Sequence, residues 1–282
     1  MNNEEVSIII PSFNRENLLK KAIDSVLMQS SDNWELLIID DGSNDGTKKM
    51  VSSYLYDTRI KYFYQENKGV SVARNVGINL ASNNYIVFLD SDDELYPFLI
   101  EELNILNLRT YDLIFWEIKK YIDNKYSLWK PRNLGPMYNN LIGTFLAGSV
   151  CYKKEVLINA GNFDPKITFG ENYELGLRIS AIENLNLKYL AKPMAQQNLN
   201  TANRESNSLE NRVNSILYQY EKYEIKYNCN LKAKSEINYL IGFVLEESNM
   251  KSKALERYKL SWDSNPLRIK ALLKILYLKY LT

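Results

Sequence analysis

Short apolar runs alternate with amphipathic segments over residues 6–108, and this alternation constrains the fold more than any other feature. Residues 6–10 (VSIII), 35–40 (ELLIID), Ile60–Tyr64 and 85–89 (YIVFL) are brief and mostly apolar, as in strands buried on both faces. Between the first two runs, Leu18, Leu19, Ala22, Ile23, Val26 and Leu27 recur with helical spacing, and 47–56, 70–81 and 95–108 read as further helices. Such alternation predicts a mainly parallel sheet with right-handed crossovers. In open sheets of this kind, ligands bind beyond the carboxyl ends of the strands.

Acidic residues fall at those ends. Asp40 and Asp41 close the second run, and Asp90, Asp92 and Asp93 follow the fourth. Carboxylates crowded on one sheet edge repel each other unless a cation neutralises them. Mg²⁺ or Mn²⁺ suits such oxygen donors and keeps positions open for phosphate. For Asp41-Gly42-Ser43 a plain turn and helix cap is an equal reading. Three carboxylates within residues 90–93 exceed what capping needs. After the third run, Gly69 marks a loop–helix junction, and Arg74 lies about one turn into the helix. From there it can reach a phosphate, buttress the acidic cluster, or simply form a structural ion pair.

The chain has 282 residues and no His. Histidine-based catalysis and His-ligated zinc are excluded, and acid–base or metal chemistry falls to Asp and Glu. The formal net charge of +1 gives no global field for nucleic acid. Cys151 and Cys229 have neither metal-ligand spacing nor a disulfide framework, which suggests a reducing cytoplasm. The start, MNNEEVSIIIPSF, does not read as a signal peptide, and no stretch reaches the roughly 18 apolar residues of a membrane span.

Beyond the fourth run the pattern is mixed. Residues 112–121 and 149–153 read as strands and 171–182 as a helix, and from about 206 the chain is helical in pattern. We therefore expect one domain over 1–205, followed by a helical region over 206–282. In the last helix, Leu267, Ile269, Leu272, Leu273, Ile275, Leu276 and Leu278 accompany Arg268, Lys270, Lys274 and Lys279. A basic amphipathic helix of this kind can lie on an anionic membrane surface. The alternative is a helical hairpin packed on the catalytic domain or on a partner.

The segments VSIIIPSFNR, IIDDGSNDGT, NKGVSVARNVGI and YIVFLDSDDELY, in this order and spacing, resemble family 2 glycosyltransferases. GNFDPKITFGENYELGLRI resembles that family's acceptor-side segment, so the likeness covers about 5–182. It implies an α/β GT-A fold with a mainly parallel sheet flanked by helices, so that 1–205 would be a catalytic domain with a donor half of about 1–110 and an acceptor half of about 111–205. It also implies inverting transfer from a nucleotide-sugar, most often UDP-linked, to a glycan or lipid-linked acceptor, assisted by Mn²⁺ or Mg²⁺. The setting would be cytoplasmic, or peripheral at the inner face of the membrane.

Position by position, Pro11 and Phe13 would lie against the base, Asp41 would hydrogen-bond it, and Asp40 would support Asp41. Asp90 would favour the ribose, Asp92 would bind the metal, Asp93 would assist either, and Arg74 matches a basic position near the donor. The family's acceptor-side Glu-Asp-aromatic motif reads Glu171-Asn172-Tyr173 here. Asn172 cannot act as a general base. Either Glu171 or Glu174 takes that role, or Asn172 marks a different way of positioning the acceptor, or transfer has been lost.

Three other classes compete with this reading. A sugar nucleotidyltransferase would carry a Gly-rich basic loop after the first strand, and PSFNRENLL has no Gly. A non-catalytic sugar-nucleotide-binding protein is suggested by Asn172 alone. A dinucleotide-dependent oxidoreductase is disfavoured, because no G-x-G-x-x-G follows the first run.

Overall fold

The structure, a computed structural model, describes residues 5–199 and 208–280. The chain forms two compact units. The first takes the described parts of Met1–Leu134, Leu141–Pro165 and Glu171–Ala202. Its elements begin with β1 (Val6–Ser12), α1 (Glu16–Leu27), β2 (Trp34–Asp40), α2 (Thr47–Ser52), β3 (Ile60–Tyr64), α3 (Val70–Leu80) and β4 (Tyr85–Phe88). They continue with β5 (Glu94–Leu95), α4 (Leu99–Ile105), β6 (Leu113–Ile122), β7 (Lys125–Trp129), β8 (Arg132–Asn133), β9 (Ile142–Gly143), β10 (Val150–Lys153), α5 (Lys154–Asn159), α6 (Glu171–Ile179) and β11 (Leu187–Asn198).

Among the described residues, nine strands form one sheet in the order β3-β2-β1-β4-β10-β6-β11-β5, with β7 paired to β6. Strands β3, β2, β1 and β4 pair parallel with one another, as the alternation predicts. Beyond β4 the sheet is mixed: β10 runs antiparallel to both β4 and β6, and β6 is parallel to β11. β1 and β2 are buried along their whole length. α1 buries Leu19, Ala22, Ile23 and Val26 from its apolar stripe. α3 packs against β1 so closely that a Cβ on Gly77 would lie 2.4 Å from Ile9 Cγ2.

Two expected helices differ from those found and one strand was not expected, each for a local reason. The helix expected over 95–108 begins only at Leu99, because Pro97 disfavours helical geometry before it and Glu94–Leu95 pairs with β11 instead. The helix expected over 47–56 stops at Ser52. The hydroxyls of Ser52 and Ser53 bond back to the carbonyls of Lys49 and Met50, a local alternative to the helical ladder. β11 was not anticipated: Pro193 interrupts its pattern, and the register shifts there twice.

The second unit takes the described parts of Gly135–Asn140, Lys166–Gly170 and Asn203–Thr282. Its helices are α7 (Leu209–Lys222), α8 (Glu224–Asn228), α9 (Leu231–Glu247), α10 (Lys251–Ser264) and α11 (Ile269–Tyr280). Ser208 and Asn230 cap α7 and α9 with their side chains. The core gathers Val213, Ile216, Ile237, Ile241, Val244, Leu245, Tyr258 and Ile275. α9 and α10 are joined by a buried serine pair, in which Ser235 Oγ donates to the Ser261 carbonyl at 2.8 Å and Ser261 Oγ returns the bond at 2.7 Å. The Ser215 hydroxyl of α7 accepts the backbone N–H groups of Thr168 and Phe169. The expected boundary at 205/206 lies outside the described residues.

Candidate active site

Parallel pairing brings the acidic segments to one edge. Ser12 lies opposite Asp40, and Ile9 lies opposite Phe88. The loops after β2 and β4 therefore flank the end of β1, about 10 Å apart by strand spacing.

The β2 loop is fixed by its own carboxylates. Asp40 is fully buried; it accepts the Ser43 N–H at 2.8 Å and the Tyr62 hydroxyl at 2.5 Å. Burial and this carboxylate together hold the Tyr62 phenol in its protonated form. Asp41 accepts Gln65 Nε2 at 2.6 Å and the backbone N–H groups of Lys68 and Gly69 at 2.9 and 2.7 Å. The 65–69 loop thus wraps one carboxylate. Gly42 allows the approach: its φ is +88°, and a Cβ there would meet Asn67 N at 2.7 Å. Pro11 lies inside β1, past the last residue paired with β4, where its missing N–H costs nothing. Phe13 is partly exposed on the loop that follows. That loop is tied to the β2 loop, since Asn14 N–H donates to Ser43 Oγ and Asn14 Oδ1 accepts the Asn44 N–H.

The β4 loop carries Asp90, Asp92 and Asp93, whose ligand oxygens lie within 4.8 Å of one another. Asp93 is buried, and the other two are half-buried. Hard oxygen donors so crowded fit a small divalent cation.

Arg74, from α3, is only 2% exposed. It donates to Asp90 Oδ1 at 2.8 Å and to Glu171 Oε1 at 2.7 Å. Burial alone would favour deprotonation, but the charges of Asp90 and Glu171 raise its pKa above the ordinary value. Its guanidinium lies 5.2 Å from the centre of the Phe163 ring. Phe163 is held in turn by Asn75, whose side chain bonds both backbone polar groups of Phe163 at 2.9 Å.

On α6, the two candidate carboxylates have different fates. Glu174 has no exposed side-chain surface, and Arg178 grips both of its oxygens, at 3.0 and 2.7 Å. Arg178 also donates to the Ala160 carbonyl. Glu171 receives Arg74 and the Asn172 carboxamide on the same oxygen, Oε1, leaving Oε2 without a partner among the described residues.

The structure therefore joins Arg74, Asp90 and Glu171 directly, keeps Asp92 and Asp93 beside Asp90, and draws Glu174 away into a separate ion pair. The sequence reading missed the supports: Tyr62, Gln65, Asn75, Arg178 and Asn198, the last of which donates to Asp93 Oδ1 and to the Asp92 carbonyl. Asn75 and Arg178 carried a signal, since they belong to the NKGVSVARN and GNFDPKITFGENYELGLRI segments, and Gln65 lies two residues before the first of these.

Residues 7–163 match the model of the glycosyl transferase family 2 domain. The chain belongs to glycosyl transferase family 2. It is 39% identical over 150 residues to an uncharacterized glycosyltransferase of Rickettsia felis, a match covering 53% of this chain and 23% of that relative. The chain therefore spans about a quarter of that longer protein. It is 34% identical over 170 residues to the UDP-Glc:alpha-D-GlcNAc-diphosphoundecaprenol beta-1,3-glucosyltransferase WfgD of Escherichia coli, covering 57% of this chain and 58% of that one. Its fold is similar to that of S. aureus TarS 1–349 in complex with UDP-GlcNAc, with a TM-score of 0.66 and 14% identity over 98% of this chain and 90% of that one. The family's GT-A fold, expected from the motifs, is the fold observed.

Proposed function

We propose that this chain moves a sugar from a nucleotide-sugar donor, a UDP-sugar, to a hydroxyl of a glycan or lipid-linked acceptor, with inversion at the anomeric carbon. The observation that carries this reading is the Arg74 bridge, which ties the acidic donor-side loop to a carboxylate on the acceptor-side helix α6. The nucleotides of the two ligand-naming relatives support UDP: WfgD is named for UDP-Glc and TarS was solved with UDP-GlcNAc. WfgD is also named for a diphosphoundecaprenol-linked acceptor, which supports the lipid-linked class.

Glu171 is the base in this reading. Its Oε2 takes the proton of the acceptor hydroxyl while the acceptor oxygen bonds to the anomeric carbon and the bond from that carbon to the diphosphate breaks. Arg74 and Asn172 hold Oε1 and so fix the direction of Oε2. Glu174 serves α6 by pairing with Arg178. Pro11, Phe13, Asp40 and Asp41 form the base end of the donor site, with Asp90 toward the ribose. Asp92, Asp90 and Asp93 would hold Mn²⁺ or Mg²⁺, which when bound neutralises the departing diphosphate.

The test is calorimetric titration of UDP with and without Mn²⁺. Binding that needs the metal is the expected result; no binding in either condition sinks the donor assignment.

The second unit supports a surface location. Ile269, Leu273, Leu276, Tyr277 and Tyr280 of α11 are exposed, beside Lys270 and Lys279. An apolar stripe flanked by lysines fits the cytoplasmic face of an anionic bilayer. Among the described residues no helix is long and apolar enough to cross a membrane. Co-sedimentation with vesicles containing phosphatidylglycerol, lost in Leu273→Glu, is the expected outcome. Equal sedimentation with neutral vesicles would refute the charge argument.

A further inference from the structure

β11 ends on Asn198, whose neighbour on β6 is Tyr121, while its own Gln196 lies opposite Glu94 of β5. This one asparagine grips three consecutive residues of the acidic loop. Its backbone N–H donates to Asp93 Oδ1 at 2.8 Å, and its Nδ2 donates to the Asp92 carbonyl at 2.9 Å and to Glu94 Oε1 at 3.2 Å. Gln196 Nε2 donates to Asn198 Oδ1 at 2.8 Å. That bond sets which end of the carboxamide faces the loop.

We infer that Asn198 is a positioning residue for cation binding: it holds Asp92 and Asp93 at the spacing a divalent ion requires. The inference rests on the cation reading above. Small divalent ions demand oxygen ligands near 2.0–2.1 Å and tolerate little distortion. The carbonyl of Asp92 and the carboxylate of Asp93 are both anchored to the end of β11, an element that belongs to the main sheet. Loop geometry is thereby referred to a rigid frame, as outer-layer partners do for metal ligands. The type of residue also matters. A Lys or Arg at this place would bring a positive charge to the cluster and could not accept the Gln196 bond. Asparagine supplies donors without charge, so it holds the loop without itself neutralising the cluster.

The experiment compares the full chain with its Asn198→Ala and Gln196→Ala variants. Mn²⁺ affinity is read in the presence of UDP by calorimetry and by the free-Mn²⁺ paramagnetic resonance signal, alongside thermal melting. Asn198→Ala should weaken Mn²⁺ binding about 10- to 100-fold and raise the metal concentration needed for half-maximal turnover, with full turnover regained at high Mn²⁺. Gln196→Ala should give a smaller loss, because it removes only the orienting bond. If Asn198→Ala does not fold, the Gln196→Ala affinity decides, and an affinity equal to that of the wild type overturns the inference. Asn198→Ala matching the wild type within about twofold also overturns it. A wild-type chain that binds UDP but no Mn²⁺ removes the cation reading itself, and this inference with it.

Discussion

Two carboxylate sites at opposite ends of the strands of one sheet contrast sharply. At the amino edge, Glu35 begins β2 and accepts four bonds: Ser7 Oγ at 2.6 Å, the Ser82 N–H at 2.6 Å, Lys61 Nζ at 2.8 Å and Ser82 Oγ at 2.9 Å. Burial alone would raise its pKa, but Lys61 and the serine bonds outweigh that and lower it. At the carboxyl edge, Asp90, Asp92 and Asp93 crowd together, with Arg74 paired to Asp90 alone among them. A saturated carboxylate locks strands together. A crowded set of oxygen donors is the arrangement on which the proposed cation binding rests. Residue type does not separate the two sites; the crowding of carboxylates at one of them does.

The strongest break in that contrast is Asp92→Asn. Metal-dependent UDP binding should fall by more than about 100-fold, beyond the loss seen for outer-layer partners, while the melting temperature stays near that of the wild type. Normal Mn²⁺-dependent binding in this variant would place the metal elsewhere. Next is the pair on α6. Glu171→Gln should lower kcat by about 10²–10⁴-fold with UDP affinity unchanged. Glu174→Ala should act on stability, by about 3 kcal/mol, because Arg178 loses a buried partner. Reversed outcomes in turnover and melting assays would exchange the two roles.

Smaller is Glu35→Ala, expected to cost about 2 kcal/mol in urea unfolding, a figure kept modest because Lys61 is substantially exposed. UDP binding should not change, and a loss of binding would mean the two edges are coupled. Smallest is the pH effect. The folded pKa of Glu35 is lowered from 4.5, so its contribution is fully present above that value and is lost as pH falls through the lower folded value. The stability difference between wild type and Glu35→Ala should therefore shrink below about pH 4.5 in acid unfolding curves. A constant difference would show that the carboxylate charge contributes nothing.

Much of the donor half was legible because strand burial and strand ends leave local marks. Continuous apolar runs gave β1 to β4, and the acids after β2 and β4 followed from their positions. The acceptor half was harder to read. β11 hides behind Pro193 and two register shifts, so no clean period of two survives. β5 is only two residues long and exists because β11 pairs with it. Asn198 had no signal at all: a single Asn in an Asn-rich chain becomes a clamp only when β11 brings it beside residues 92–94.

Sequence by itself determined the family, the parallel first half of the sheet, the edge on which the carboxylates gather, and the exclusion of histidine chemistry. These follow from local pattern and from the rule that parallel strands share a direction. Tertiary structure decided which carboxylate is which. Glu171 and Glu174 are three residues apart on one helix and alike in sequence, but Arg74 reaches the first and Arg178 saturates the second. That choice depends on long-range contacts, such as the one between residues 74 and 171, which no local pattern records.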